Sequence, residues 1–324
     1  MTRYALVRAL CAMILLIAPG IALSQAFPNR TIRILVHATP GAQPDAVARI
    51  VAKHMSSSLG QPIVIENITG GTGVPAINAL LASRPDGYTL IVLDAGHWAI
   101  NPAARSDLRY DPEKSFTPVS MITTSSLFLA VHSSVPANNL AELVALIRKQ
   151  PGMYNYGSAG IGTVHHLTVE FFKQALGLDI VHIPFRGSSQ SVPALVAGQV
   201  QMAVAALTVL AQFEKAGRVK ILGANTAERS ALAPEIPSMA TVAPNLDFPG
   251  QVALLGPAGM PREAVNKLAQ AVDEAVKGED VIAALKIAGV EPAPSRGPDA
   301  LAKRMRDDRA KYGSLIKSLG VKLE

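Results

Sequence analysis

The sequence contains almost no cysteine, few aromatic residues and little charge. Its one cysteine, Cys11, lies near the start of the chain, which excludes disulfide bonds and thiolate catalysis in everything that follows it. Aromatic residues are 5% of the 324 residues, and the formal net charge of +6 comes from scattered basic residues. A nucleic-acid surface needs a basic stripe interleaved with stacking side chains. The composition therefore predicts no nucleic-acid partner.

The N-terminus has the pattern of a secretory signal peptide. Arg3 and Arg8 precede an apolar run over residues 9–23, and small residues follow at 24–26. We predict cleavage after Ala26, with an uncleaved anchor as the alternative. Cys11 lies too early in the run to carry a lipid anchor. No later stretch is long and apolar enough to cross a bilayer, so we expect a soluble exported protein.

Apolar periodicity predicts two α/β units followed by a helical C-terminus. The first unit has expected strands at 31–36, 63–66 and 88–93 and helices at 44–59 and 74–83. The second has helices at 163–176, 189–197 and 209–216 and strands at 180–183, 202–206 and 219–224. A strand at 252–255 and helices near 261–277, 280–287 and 298–319 complete the chain. Alternating strands and helices favour mainly parallel sheets flanked by helices.

The segment 156–167, Tyr-Gly-Ser-Ala-Gly-Ile-Gly-Thr-Val-His-His-Leu, joins a glycine-rich loop to an apolar-periodic helix. Thr163 is the expected N-cap of that helix. Unpaired amides and the positive end of the helix dipole would face a ligand in the loop. Such a place suits a carboxylate or a phosphate. A loop that only turns the chain is an equally good interpretation of this segment alone.

Other polar loops follow predicted strands at the same edge of each sheet. They cover residues 38–45, 70–73 and 94–101 in the first unit and 157–163 and 185–189 in the second. Ligands of open α/β sheets gather at the carboxyl ends of the strands. Two units that direct such loops the same way predict a cleft between them, with a hinge that closes around a small solute.

Short motifs lie along the whole chain from Phe27. They include Phe27-Pro28-Asn29-Arg30, Pro40-Gly41 with Asp45, Leu59-Gly60-Gln61-Pro62, Arg84-Pro85-Asp86-Gly87-Tyr88, Asn101-Pro102, Tyr110-Asp111-Pro112, Asn155-Tyr156-Gly157-Ser158, Gly198-Gln199-Val200 and Pro257-Ala258-Gly259-Met260-Pro261. In this order they resemble the motifs of the Bug-type (TctC-like) solute-binding proteins of tripartite tricarboxylate transporters.

This resemblance implies a two-lobed α/β periplasmic binding protein of type II, the Venus flytrap fold. We expect a signal peptide at 1–26, one lobe formed by 27–125 and 247–324, and the other by 126–246. The resemblance also implies a periplasmic monomer without cofactor or metal that binds a small organic anion. Such a receptor would deliver its solute to the membrane permease subunits of a tripartite tricarboxylate transporter.

In that family the carboxylate is held largely by backbone amides, hydroxyl groups and bridging waters. Carried onto this chain, the expected ligand-binding residues are Ala38, Thr39, Gly41, Ala42, Asp45, Asp94, Ala95, His97, Ser158, Gly160, Thr163 and Arg186. The chain departs from the family pattern at Ala38, Ala42, Ala205, Gln251 and the turn 94–98. Dicarboxylates, tricarboxylates, acidic amino acids and aromatic acids therefore all stay open as the solute.

Two of these side chains allow more than one role. Asp94 fits either the partner of a ligand amino group or the cap of a turn. Arg186 lies at a predicted strand end, where it fits a bidentate carboxylate clamp and an exposed loop residue equally well.

Catalytic and metal chemistry has weaker support. Tyr156 stands where the nucleophile elbow of a serine hydrolase needs its first glycine, and the Gly71-Thr72-Gly73 loop lacks the acidic partner of a dinucleotide site. His166 and Glu170 share one helix face, where an ion pair is commoner than a metal site. An exported enzyme with His97 or His165 as its base, and a sensory subunit for a membrane kinase, stay as alternative functions.

Overall fold

Two β-sheets organise the part of the chain that the computed structural model describes, residues 27–70, 73–293 and 297–322. The predicted signal peptide and two residues of the 70–73 loop lie outside it. The strands are β1 Ile32–Val36, β2 Ile63–Asn67, β3 Thr89–Asp94, β4 Phe116–Ser125, β5 Leu127–His132, β6 Asn155–Ser158, β7 Val181–Pro184, β8 Met202–Ala206, β9 Val219–Ala224, β10 Gly250–Pro257 and β11 Glu291–Pro292.

Helices cover both sheets. They are α1 Gln43–Leu59, α2 Val74–Leu81, α3 Asn101–Ala104, α4 Pro112–Ser115, α5 Leu140–Lys149, α6 Val164–Leu176, α7 Ser188–Val196, α8 Leu207–Lys215, α9 Arg262–Ala275, α10 Glu279–Ile287 and α11 Pro298–Leu319. A π-helical turn, Gly96–Ile100, follows β3. No helix among the described residues is long and apolar enough to cross a membrane.

Local chemistry sets the ends of the main helices. Proline lies in the first turn of α1, and Gly60 ends this helix with a φ of 64°, a left-handed conformation that glycine adopts without a steric cost. Gly177 ends α6 in the same way. The side chain of Asn139 caps α5 by accepting a hydrogen bond from the amide of Glu142, which pairs an otherwise orphan donor.

The predicted two-sheet α/β fold is confirmed, but its sheets are mixed rather than mainly parallel. The first sheet has the strand order β11-β4-β10-β3-β1-β2, and the second has β7-β6-β8-β5-β9. Only β1 with β2 and β3, and β6 with β7 and β8, pair in parallel. The antiparallel pairs arise because β4, β5 and β10 belong to the segments that carry the chain from one sheet to the other and back.

The sequence patterns assigned no element to residues 102–150, where the structure has β4, β5 and α5. Strand β4 contains a proline and several hydroxyl residues, and its pairing with β10 shifts register twice. Such irregular pairing removes the regular alternation by which a strand is recognised in a sequence.

One buried side chain joins the two crossings between the sheets. Asn225, at the end of β9, accepts a hydrogen bond from the amide of Leu127 at 2.8 Å and donates to the carbonyl of Phe248. A Cβ at Gly250 would overlap the hydroxyl of Ser125, so glycine is needed where β4 and β10 approach closely. The crossing segments therefore lie side by side, as in a two-stranded hinge.

The first sheet is covered on one face by C-terminal helices. Ile34, Val92 and Leu254 from its central strands lie in one buried cluster with Leu268 and Val272 of α9. Burial of side chains of this size contributes about 1.5–3 kcal/mol each. This packing fixes the carboxyl ends of β1 and β3, which form one wall of the site described next.

Candidate functional site

A cavity of about 670 Å³ lies between the two sheets. Its size falls in the range of small-molecule sites. The wall on the side of the first sheet includes Gln43, Pro44, Asp94, Ala95, Gly96, Ile100, Asn101 and Arg105, and the opposite wall includes Ala159, Ile161, Gly162, Thr163, Val164, His165 and Ala206. Ser125, Leu127, Gly250 and Gln251, from the crossing segments, complete the lining.

Three helices begin at this cavity. Gln43 and Pro44 open α1, Thr163 precedes α6, and Ala206 precedes α8. The first amides of a helix have no partner within the helix and carry the positive end of its dipole. Among the described residues, no side chain caps α1 or α8. The wall therefore includes three helix N-termini with amide donors and positive partial charge, which favours an anion.

The start of α6 confirms the predicted cap. Thr163 has extended backbone angles, and its hydroxyl oxygen accepts from the amide of His166 at 3.4 Å while it donates to the carbonyl of Gly160 at 2.7 Å. The amides of Val164 and His165 precede any intrahelical partner. These two donors lie at the cavity wall and are the ones that a carboxylate could reach.

Asp45 has a structural role in the first loop. It is 1% exposed and accepts from the amide of Gly41 at 2.8 Å, from Asn67 Nδ2 at 2.8 Å and from Arg49 Nε at 3.0 Å. Burial alone would raise the pKa of this carboxyl, but the hydrogen bonds from Arg49, Gly41 and Asn67 outweigh it and lower the pKa. Asp45 thus fixes the loop that leads into α1, and it is not part of the cavity lining.

The charged side chains of the lining nearly balance. Arg105 contributes a cation that is paired with Asp107 at 2.7 Å, and Asp94 contributes an anion. Burial lowers the pKa of His165 to about 4, so this imidazole is neutral at pH 7. The helix ends add positive partial charge to the cavity wall.

Asp94 caps a turn, which is one of the two roles predicted for it. Its Oδ1 atom accepts from the amide of Gly96 at 2.8 Å and lies 2.9 Å from Nδ1 of His97. His37 lies on the other side, with Nε2 at 3.3 Å from Oδ2. Burial raises the pKa of Asp94, but the two imidazoles outweigh it and hold the pKa well below its usual range.

The structure brings some of the other expected ligand residues to the cavity and leaves others away from it. Ala95 and Thr163 line it. His97 is buried behind Asp94, and Ser158 is buried with its hydroxyl 2.7 Å from Nε2 of His182. Arg186 is exposed outside the lining. The remaining expected residues lie outside the lining, in the two loops next to it. They are Ala38, Thr39, Gly41, Ala42 and Gly160.

Several lining residues were missed by the sequence analysis. Asn101 lies in a four-residue helix, and Arg105 lies just after it. The exposed Ile161 forms an apolar edge of the cavity. Gln251 reaches it from β10, where its Nε2 donates to the buried carboxylate of Asp308 at 2.9 Å. The sequence did signal three of these positions: the motif Asn101-Pro102, the loop 157–163 that contains Ile161, and the departure from the family pattern at Gln251.

His166 and Glu170 have separate partners. Glu170 accepts from the hydroxyl of Tyr156 and from Lys173 Nζ, each at 2.7 Å. His166 packs against the ring of His182, and its Nδ1 accepts from the amide of Gly162 at 3.2 Å. The ion pair expected between His166 and Glu170 is therefore replaced by one between Glu170 and Lys173.

The comparisons with known proteins agree on one family. Residues 47–321 match the model of the tripartite tricarboxylate transporter family receptors. A UPF0065 protein of Bordetella pertussis is 33% identical over 99% of both chains. The protein BugT of the same species is 27% identical over 92% of both chains.

Solved structures agree with this assignment. A periplasmic transporter is 35% identical, with coverage of 92% of this chain and 100% of the other and a TM-score of 0.73. The R. palustris protein Rpa4515 with adipate is 28% identical, with 91% and 99% coverage and a TM-score of 0.74. MatC from Rhodopseudomonas palustris with bound malate is 30% identical, with 90% and 100% coverage and a TM-score of 0.69.

Proposed function

This chain belongs to the tripartite tricarboxylate transporter receptor family, and we propose that it binds a small carboxylate in the cavity between its two sheets. The observation that carries the proposal is the convergence of the N-termini of α1, α6 and α8 on this cavity. Backbone amides in such positions bind a carboxylate without needing a charged side chain. They also leave the ligand chemically unchanged.

We propose an aliphatic dicarboxylate as the preferred class of solute. The structurally similar Rpa4515 and MatC hold adipate and malate, both dicarboxylates. In this chain, α1 on one wall and α6 and α8 on the other offer helix N-termini, and the lining also includes the apolar Ile100, Leu127 and Val164. Arg105 adds a cation to the lining, which favours a second negative charge.

The proposed receptor role also implies a compartment and partners. We propose that the chain acts in the periplasm as a monomer, after removal of the predicted signal, and that its closed form docks on permease subunits of a tripartite tricarboxylate transporter. The two crossing segments joined by Asn225 would serve as the hinge. Closure would bring the amides of α6 and α1 onto the same ligand.

We propose a binding role without catalysis. A base for an exported enzyme would be His97 or His165. The ring of His97 is buried against Asp94 and Gly73, and burial lowers the pKa of His165 to about 4, which makes it a weak base at pH 7. His97 is 5% exposed and does not belong to the cavity lining.

Thermal-shift screening with dicarboxylates, tricarboxylates, acidic amino acids and aromatic acids tests the proposal. A ligand at 100 times its dissociation constant stabilises the folded state by about 2.7 kcal/mol, which raises the melting temperature of a chain this size by several degrees. The stabilising acid should be recovered unchanged after incubation with the protein. No shift with any acid would contradict the receptor role, and conversion of the acid would support the enzyme alternative.

A further inference from the structure

The carboxyl ends of β1 and β3 bring two histidines and an aspartate together. These parallel strands pair in the register Val36 with Val92, so His37 and Asp94 both follow the last paired positions within two residues. His97 follows Asp94 by one helical turn and returns to it at 2.9 Å. The Nδ1 or Nε2 atoms and the carboxylate oxygens of the three residues lie within 4.8 Å of one another.

We propose that His37, Asp94 and His97 form a binding site for a divalent first-row transition-metal ion of the Zn²⁺ type. Two imidazoles and one carboxylate are ligands that such ions prefer, whereas Mg²⁺ and Ca²⁺ prefer sets of oxygen ligands. Metal bonds of about 2.0–2.1 Å place tetrahedral ligands about 3.4 Å apart. Nε2 of His37 lies 3.3 Å from Oδ2 of Asp94, and Nδ1 of His97 lies 2.9 Å from Oδ1, so small shifts of the side chains would place all three ligands around one ion.

The surroundings of the cluster favour an ion over a simple pair of hydrogen bonds. The Nε2 atom of His37 is buried and has no well-aligned hydrogen-bond partner among the described residues, although the carboxylate is near. The His37 and His97 side chains are 12% and 7% exposed, whereas that of Asp94 is 35% exposed. Asp94 is thus the most exposed member of the cluster, and it belongs to the cavity lining.

Gly73 makes room for this arrangement. A Cβ at this position would overlap Nε2 of His97 and lie 3.3 Å from the Cβ of His37. The backbone of Gly73 has a φ of 83°, which disfavours other residues in any case. A glycine at the start of α2 therefore lets both imidazoles pack against the end of the sheet with their nitrogens directed at Asp94.

An ion at this site would have a coordination position facing the cavity, because Asp94, Ala95 and Gly96 belong to the lining. Catalytic and ligand-exchanging zinc sites have three protein ligands and one open position. The carboxylate of the solute could then become the fourth ligand. This consequence rests on the proposed function, whereas metal binding itself does not.

The test measures Zn²⁺ binding to tag-free, chelator-treated protein in the absence of any solute, by competition with a chromophoric chelator. The variants are His37→Gln and Asp94→Asn, and the matched control is His54→Gln. His54 lies 2.8 Å from Asp280, so it forms a histidine–aspartate pair that lacks the third ligand. We expect one Zn²⁺ per chain and at least about a tenfold loss of affinity in both variants, with no change in the control.

A second readout keeps the test decisive where a variant fails to fold. Co²⁺ added to the wild-type protein should give the intense visible absorption of a four- or five-coordinate site with nitrogen ligands, and Mg²⁺ should not compete for it. Equal Zn²⁺ affinity in the wild type and both folded variants, or a Co²⁺ spectrum typical of the hydrated ion, would overturn the proposal. Solute binding that persists in metal-free protein would leave the proposed receptor role intact and refute only the fourth-ligand consequence.

Discussion

Replacement of the cap of α6 separates the electrostatics of the site from its stability. In Thr163→Asp, the new carboxylate still accepts from the amide of residue 166, because aspartate is at least as good an N-cap as threonine. It also places a negative charge next to the helix end, where the dipole favours it. The bond to the carbonyl of Gly160 is lost. We expect the stability to change by less than about 1 kcal/mol.

Solute binding should respond very differently to the same substitution. A carboxylate held by the first amides of α6 would lie about 5 Å from the new charge, where two unit charges repel by about 3 kcal/mol at an effective dielectric constant of about 20. This predicts an affinity loss of about 100-fold, since each 1.4 kcal/mol is about tenfold. The measurement is isothermal titration of the acid found by the thermal-shift screen.

Thr163→Asn is the matched control. Asparagine has nearly the shape of aspartate and caps helices equally well, but it carries no charge. We expect it to retain the affinity of the wild type within about threefold, because the amide donors are unchanged. If the aspartate and asparagine variants bind the acid equally well, or lose affinity to the same extent, the reasoning from helix-end electrostatics is wrong.

Three further predictions concern Asn225 in the proposed hinge, Asp45 in the first loop and Arg105 in the cavity lining. Asn225→Ala should destabilise the chain by about 2–4 kcal/mol in chemical denaturation, because it leaves the Leu127 amide and the Phe248 carbonyl without partners; a loss below 0.5 kcal/mol would contradict this role. Asp45→Asn should be less stable than the wild type at pH 7, and the difference should narrow as the pH falls below about 4, since the pKa of Asp45 is lowered in the folded state; a difference that is constant with pH would refute it. Arg105→Gln should weaken binding of the acid about tenfold in titration at low salt, because the lining loses its one arginine cation among the described residues; unchanged affinity would place the second carboxylate elsewhere.

Most of the helices and strands that could be predicted have regular apolar patterns in the sequence. The helix at 298–319 and the strands at 202–206 and 219–224 have the predicted bounds in the structure, because each is a continuous apolar pattern between clear stop signals. Strand β4 was missed because its proline, its hydroxyl residues and two shifts of register break the alternation by which a strand is recognised.

The candidate site was predictable only where a local motif formed it. The N-terminus of α6 was found because Thr163 and the glycines before it are adjacent in the sequence. Asp45 was recognised as a residue of the right loop, but its neighbours Gly41 and Asn67 take up the carboxylate, and no sequence pattern shows that pairing. His37 was missed because only the parallel pairing of β1 with β3 brings it beside Asp94.

A crystal structure of the protein with its acid bound tests the central claim most directly. The account predicts carboxylate oxygens about 3 Å from the backbone amides of residues 164 and 165, with the second carboxylate directed at the start of α1 or at Arg105. An acid bound outside the cavity, for example on the exposed Arg186, or one that contacts only side chains while these amides face water, would contradict it.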